Sequence, residues 1–162
     1  FDLPHSKKVN IALSTVDRSF DAWTHLLEGG DAVISDIARD GDAMRRYQGT
    51  LLEGLADTRE DITWHGHKTA VVNIGSYDLF SDMGAYLNEW TDADIALMWR
   101  AQSYDPADRR AKVSLRTKRD DIDVGEIAES YGGGGHPGAA GYSISIDDHL
   151  EELSRAKGWF GA

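Results

Sequence analysis

Residues 131–144 read YGGGGHPGAAGYSI, and the four consecutive glycines restrict what can surround them. Each glycine costs roughly 0.5–1 kcal/mol of folding free energy relative to alanine, because more backbone freedom is lost on ordering. A turn needs one glycine, or two. One glycine at Tyr131–Gly132 serves as the left-handed cap that ends a preceding helix. Gly133, Gly134 and Gly135 are left for another purpose. Without Cβ atoms they let a ligand approach the backbone, and successive free N–H groups form an anion-binding concavity. His136 adds an imidazole that donates to an anion or changes charge near neutral pH. Pro137 suits the first position of a helical turn. A flexible turn with no ligand is the plainer alternative.

The surrounding pattern fixes the fold class. KTAVVNIG (68–75), ADIALMWRAQ (93–102), AKVSLRT (111–117) and YSISI (142–146) read as strands. DLFSDMGAYLNEW (78–90), DVGEIAESY (123–131) and DDHLEELSRAKGW (147–159) read as helices between and after them. Asp78 or Ser81 is the expected cap of the first helix. Strands alternating with helices predict an α/β fold: a small mixed sheet of at least four strands flanked by helices. Upstream, a short lead-in precedes a helix from about Asp17 that stops at Gly29–Gly30. A second helix starts near Asp31. It carries Ile34, Ile37, Gly41, Met44, Gln48, Leu51 and Leu55 at 3–4 spacing, a stripe expected to face a core, with a dimer seam or interdomain strut as alternatives. The change of grammar near 61–68 predicts a helical linker segment over 1–62 and a second domain over 63–162. Neither repeats nor low-complexity linkers interrupt this order.

The dinucleotide fingerprint G-x-G-x-x-G is matched by Gly133, Gly135 and Gly138, but the run follows a helix rather than a strand, so that reading fails on context. The phosphate-loop pattern ending in Gly-Lys-Ser/Thr is missing from the sequence. With no cysteine, thiolate catalysis, disulfides and zinc–thiolate sites are excluded. That composition and the absence of a secretory leader in FDLPHSKK fit a cytoplasmic protein. The chain starts at Phe1, which leads us to expect a fragment or a processed piece.

Charge is unevenly spread. In RRAKVSLRTKR (109–119) six of eleven residues are basic and none is acidic, while the chain as a whole carries −11. So acidic a body repels long polyanions, but a local basic strip suits a small anion. A solvated strand edge guarded by charge is the alternative. Strand alternation puts Lys112, Ser114 and Arg116 on one face and Val113 and Leu115 on the other. Arg116 then offers a fork suited to bidentate phosphate binding.

VSLRT (113–117), DVGEIA (123–128) and GGGGHPGAAG (132–141), in this order and spacing, resemble the DHH-associated C-terminal domain of DHH-family phosphoesterases. The resemblance is strong over 70–146 and weak before it, where the Leu3–Pro4 pair, two linking helices and the VVN strand (71–73) are similar to the family. It implies a substrate-binding lobe that faces a separate catalytic lobe carrying two manganese ions. Substrates would be short oligonucleotides or dinucleotides. Gly133, Gly134, Gly135 and His136 would then contact substrate phosphate, Arg116 and Thr117 would bind a second phosphate or the nucleotide, and Asn73 is a further candidate. No Asp-His-His triplet is present. His5, His25, His65, His67, His136 and His149 are scattered, and His65–Gly66–His67 reads as a polar loop rather than a metal site. The chain by itself is therefore expected to hold no metal and to supply no catalytic residue. Manganese would come only with the missing lobe, from the same gene or a separate one, and a homodimer is possible. A non-catalytic RNA-binding or oligomerisation module, akin to the C-terminal domain of alanyl-tRNA synthetases, is the alternative function.

Overall fold

The computed structural model describes residues 6–103, 105 and 107–158. Two compact units divide the chain, Phe1–Glu53 and Gly54–Ala162. The Leu3–Pro4 pair, His5 and Trp159 lie outside the described residues.

The first unit is helical: α1 (Ser6–Leu13), α2 (Phe20–Glu28) and α3 (Gly30–Ala56), whose last turn belongs to the second unit. The expected lead-in over 9–16 is thus largely a helix of its own. Ser19 caps α2, its hydroxyl accepting from the Ala22 N–H at 3.3 Å. Gly30 ends the link to α3 with φ +58. Gly41 is buried, and a Cβ there would lie 2.0 Å from the Lys8 carbonyl oxygen, so this glycine lets α1 pack onto α3. The Lys8–Asp42 ion pair at 2.8 Å closes the same contact. Of the apolar stripe, Gly41 is buried and Met44, Gln48 and Leu55 are half-buried, whereas Ile34 and Leu51 are exposed. The stripe is therefore only in part the core-facing one expected.

The second unit is a six-stranded mixed sheet in the order β1-β2-β3-β4-β6-β5. Its strands are β1 (Glu60–Trp64), β2 (His67–Asn73), β3 (Ile95–Ser103), β4 (Arg110–Arg116), β5 (Gly134–His136) and β6 (Ala139–Ser145). Only β2 and β3 run parallel; a 3₁₀ turn (Tyr77–Leu79) and α4 (Phe80–Trp90) form the crossover between them. The expected caps Asp78 and Ser81 do not cap: the 3₁₀ turn leads directly into α4, whose N-cap position is Leu79, with no side-chain bond. α5 (Val124–Ser130) and α6 (Ile146–Ala156) follow β4 and β6. Asp123 caps α5 by accepting from the Gly125 and Glu126 N–H groups.

Two strands escape sequence patterning. β1 is joined to β2 by His65 and Gly66, both at positive φ (49 and 81), the conformation of a two-residue hairpin turn that matches strand twist. β5 is the glycine run itself, paired antiparallel to β6.

The sheet buries both faces unequally. On one side α5 and α6 cover Ile62, Trp64, Val71, Ile95, Leu97, Val113, Leu115 and Tyr142, which form the main core with Ile122, Val124 and Ala128. On the other, α4 lies over β3 and part of β4, burying Phe80, Met83 and Leu87.

Candidate functional site

Register decides which side chains meet. Directly paired residues share a face. Met98, Ser114 and Gly141 form one row across β3, β4 and β6, continued by Gly134 of β5. Ala96, Arg116 and Ala139 form the next, continued by His136. Arg100, Lys112 and Ser143 form a third. All lie on the α4 side, with Met98 and the stem of Arg116 directly against Gly84 of that helix. The structure therefore brings Arg116, Gly134 and His136 to one sheet face, with Ser114, Lys112 and Arg100 beside them.

Arg116 is half-buried there. Its Nη1 donates to the Ser114 hydroxyl and to the Leu115 carbonyl, both at 2.8 Å, and its Nη2 lies 3.5 Å from the Ser81 hydroxyl. Among the described residues no carboxylate lies within ion-pair distance of Arg116, Lys112 or Arg110. The rest of the basic strip behaves differently. Arg109 pairs with Asp147, and Arg119 pairs with Asp94 and Asp121. Asp121 and Asp94 hold the Arg119 guanidinium above its ordinary range, and Arg119 in turn holds the Asp121 carboxyl below the usual carboxylate range. The two outermost arginines of the strip are thus neutralised, while Arg110, Lys112 and Arg116 on the α4 face, and Lys118 beyond them, have no ion-pair partner among the described residues.

The glycines divide likewise. Gly132 sits at φ +74, its N–H bonded to the Glu129 carbonyl while the Gly133 N–H reaches the Ala128 carbonyl, both at 2.9 Å. That is the paired hydrogen-bond closure of a helix end, with glycine at its left-handed position. A Cβ on Gly133 would lie 2.3 Å from the Gly141 oxygen and 2.6 Å from Tyr142 Cβ. One on Gly135 would lie 2.5 Å from backbone atoms of Ala139 and Ala140. β5 therefore needs Gly133 and Gly135 to pack against β6, a demand that arises without any ligand. Gly134, unlike Gly133 and Gly135, faces open space, and its backbone, unlike that of Gly132, is not in the left-handed region. His136 is exposed, and Pro137–Gly138 form a hairpin tip rather than the start of a helical turn. That tip is tied down, Pro137 O accepting from Val124 N at 2.9 Å and Gly138 O from Thr117 N at 3.1 Å.

Thr117 and Asn73 are placed elsewhere. The Thr117 side chain is buried; its hydroxyl donates to the Asp94 carbonyl at 2.8 Å and accepts from the Arg119 N–H at 3.1 Å. Asn73 pairs in register with Trp99 and lines a cavity of about 220 Å³ under α6, on the opposite side of the sheet from Arg116 and His136. Sequence reasoning missed Gly84 in α4, where a Cβ would meet Arg116 Cγ at 2.6 Å and Met98 Cε at 2.9 Å. This glycine opens the passage through which Arg116 reaches the surface. A glycine inside an otherwise strong helical pattern was the available signal.

His65 and His67 do not form a metal pair with carboxylates. His65 Nε2 lies 2.9 Å from the Tyr131 hydroxyl, which bonds Glu152, as does the Trp64 indole at 2.7 Å. Among the described residues no three metal-binding side chains come together. The two ions implied by the resemblance thus find no donor set here, and no hydrolytic step is assigned to these residues. Also among the described residues, no helix is long and apolar enough to cross a membrane.

Residues 81–159 match the DHHA1 domain family. A stretch of 42 residues is 60% identical to oligoribonuclease NrnB of Bacillus subtilis (strain 168), covering 26% of this chain and 10% of that protein. The pGpG-specific phosphodiesterase PggH of Vibrio cholerae superposes over 94% of this chain and 55% of its own, with a TM-score of 0.60 at 12% identity. That likeness shows a shared fold. The chain spans about half the length of this structural relative, and the aligned stretch about a tenth of the curated one. The C-Ala domain of Aquifex aeolicus alanyl-tRNA synthetase superposes over 61% of this chain with a TM-score of only 0.42, which bears on neither fold nor function.

Proposed function

We propose that the α4 side of β4, β6 and β5, within the residues 81–159 that match the DHHA1 domain family, is the substrate-binding surface of a phosphoesterase acting on short oligonucleotides or dinucleotides. One observation carries this reading: an arginine without a carboxylate partner, an open glycine and an exposed histidine are set by register on one sheet face. Arg116 is preorganised, since Ser114 and Leu115 hold Nη1 and so fix the planar guanidinium, while Nη2 makes only a long 3.5 Å contact with Ser81 that a phosphate oxygen would displace. Gly134 gives an anion room beside the β5 backbone. His136 supplies a second donor from the adjacent row. The relatives' names support the substrate class, one being an oligoribonuclease and another a phosphodiesterase for a dinucleotide.

In this reading the chain's own residues orient and neutralise phosphate, the part of phosphoryl transfer that works by positioning and electrostatics. Manganese, and the residues that hold it, would come with a DHH catalytic lobe. Thr117 contributes by fixing the chain after Arg116 rather than by touching substrate.

The test is the affinity of a 5′-phosphorylated dinucleotide for the chain and for the Arg116→Ala, His136→Ala double variant. Hydrogen bonds to charged groups are worth about 1.5–3 kcal/mol each, so the double variant is expected to bind at least tenfold more weakly. Unchanged affinity would overturn the assignment.

A further inference from the structure

Tyr77 is a large aromatic left 58% exposed in the 3₁₀ turn between β2 and α4. Exposing a ring costs apolar burial, yet this one is not loose. Its ring stacks at a tilt on buried Phe80, centroids 5.2 Å apart, and the Arg100 guanidinium carbon lies 5.8 Å from its centroid. Arg100 is held by a hydrogen bond from Nη1 to the Ala101 carbonyl at 3.3 Å, while its Nε is buried without a hydrogen-bond partner. A guanidinium over an aromatic face is attracted by the ring quadrupole, so the two groups hold one another in place.

This pair adjoins the phosphate face. Arg100 stands in the same row as Lys112, next to the row of Ser114, and the row of Arg116 lies beyond that. From the other side, the segment bearing Tyr77 bears Ser81 four residues on, and Ser81 touches Arg116. One helical turn thus carries an exposed ring beside Arg100 and a hydroxyl beside Arg116. That is the arrangement a nucleotide needs, with a flat apolar platform one step from a cation for its phosphate.

Building on the proposed substrate class, we propose that Tyr77 is a base-stacking platform, on which a nucleobase completes a three-layer stack of base, phenol ring and Arg100. Aromatic stacking tolerates any base, so the platform would select nucleotides over simple phosphates and polyphosphate without choosing among bases. It would account for a preference that a phosphate-binding face alone cannot produce.

The experiment is an NMR titration of the 162-residue chain with two probes, a 5′-phosphorylated dinucleotide and inorganic pyrophosphate. It is repeated for Tyr77→Ala, Tyr77→Phe and Arg116→Ala. Loss of one stacked base corresponds to a weakening of about fivefold or more. Tyr77→Ala is expected to lose at least that factor for the dinucleotide and none for pyrophosphate, while Tyr77→Phe retains both. Arg116→Ala is expected to weaken both probes. Equal dinucleotide affinity in wild type and Tyr77→Ala, with Arg116→Ala still impaired, overturns the platform and leaves the phosphate site standing. No dinucleotide binding by the wild type overturns both.

Discussion

Gly133 and Gly134 are neighbours in a run of identical residues, yet a methyl group added to each meets different surroundings. At Gly133 it strikes the Gly141 oxygen and Tyr142 within 2.6 Å; at Gly134 it meets nothing within 4 Å. Gly133→Ala is therefore expected to cost about 1–3 kcal/mol through overpacking. Gly134→Ala should be neutral or stabilising by up to about 1 kcal/mol, since alanine restricts the unfolded chain. Urea denaturation of the two variants checks this, and equal losses would contradict the packing account. Gly134→Ala should nevertheless weaken dinucleotide binding, because its methyl group would fill space at the phosphate. Gly84→Ala offers a complementary case. Its Cβ would press on Arg116 Cγ, so the gain in helix propensity of roughly 1 kcal/mol is offset by strain. Dinucleotide affinity should fall although no ligand-contacting residue is altered; unchanged affinity would mean Arg116 reaches the ligand by another route. In the sequence the four glycines look alike, and only the register against β6 separates those required by packing from the open one. Arg116 was legible from alternation alone, whereas Thr117, one residue on, was not. Its engagement depends on Asp94, distant in sequence.

At the scale of elements, the β5–β6 hairpin and the β1–β2 hairpin show what period-two patterning fails to detect. β5 has no alternation because two of its three residues are glycine, and β1 opens on two adjacent acidic residues, Glu60 and Asp61. Both are strands because a neighbour supplies the pairing. The four longer strands and the three helices of the sheet unit were legible, their apolar residues falling on faces that the fold covers. Helix α6 carries a further consequence. His149 is buried against the Trp99 ring, centroids 4.9 Å apart, and neither ring nitrogen has a hydrogen-bond partner. Burial pushes its pKa down to about 4, with Glu152 opposing. Since the unfolded chain takes up this proton near 6.5 and the folded one only near 4, the unfolded state binds more protons between those values. Stability should fall as pH is lowered through that window, by roughly 3 kcal/mol for this group. His149→Phe should flatten the pH 4–6.5 portion of the stability curve measured by denaturant titration. A slope unchanged by the substitution would show that other groups carry it.

Over the whole molecule, a chain of net charge −11 gathers Arg100, Arg110, Lys112 and Arg116, none with an ion-pair partner among the described residues, on one face of one sheet. The acidic remainder disfavours long nucleic acid, and the local cations favour a short anion that fits between them. Affinity for a phosphorylated dinucleotide should therefore fall several-fold between about 50 and 200 mM salt, and the Arg116→Ala variant should show a shallower dependence. An identical dependence would place the electrostatic contact elsewhere. The central claim is one of location, since the sheet has a second candidate on its other side in the cavity lined by Asn73 and Trp99. The most direct measurement is the map of backbone amide shifts on titrating the chain with a 5′-phosphorylated dinucleotide. Shifts gathered at Arg100, Lys112, Arg116, Gly134 and His136 are the expected result. Shifts confined to the α6 side, around Asn73, Trp99 and Leu153, would contradict it.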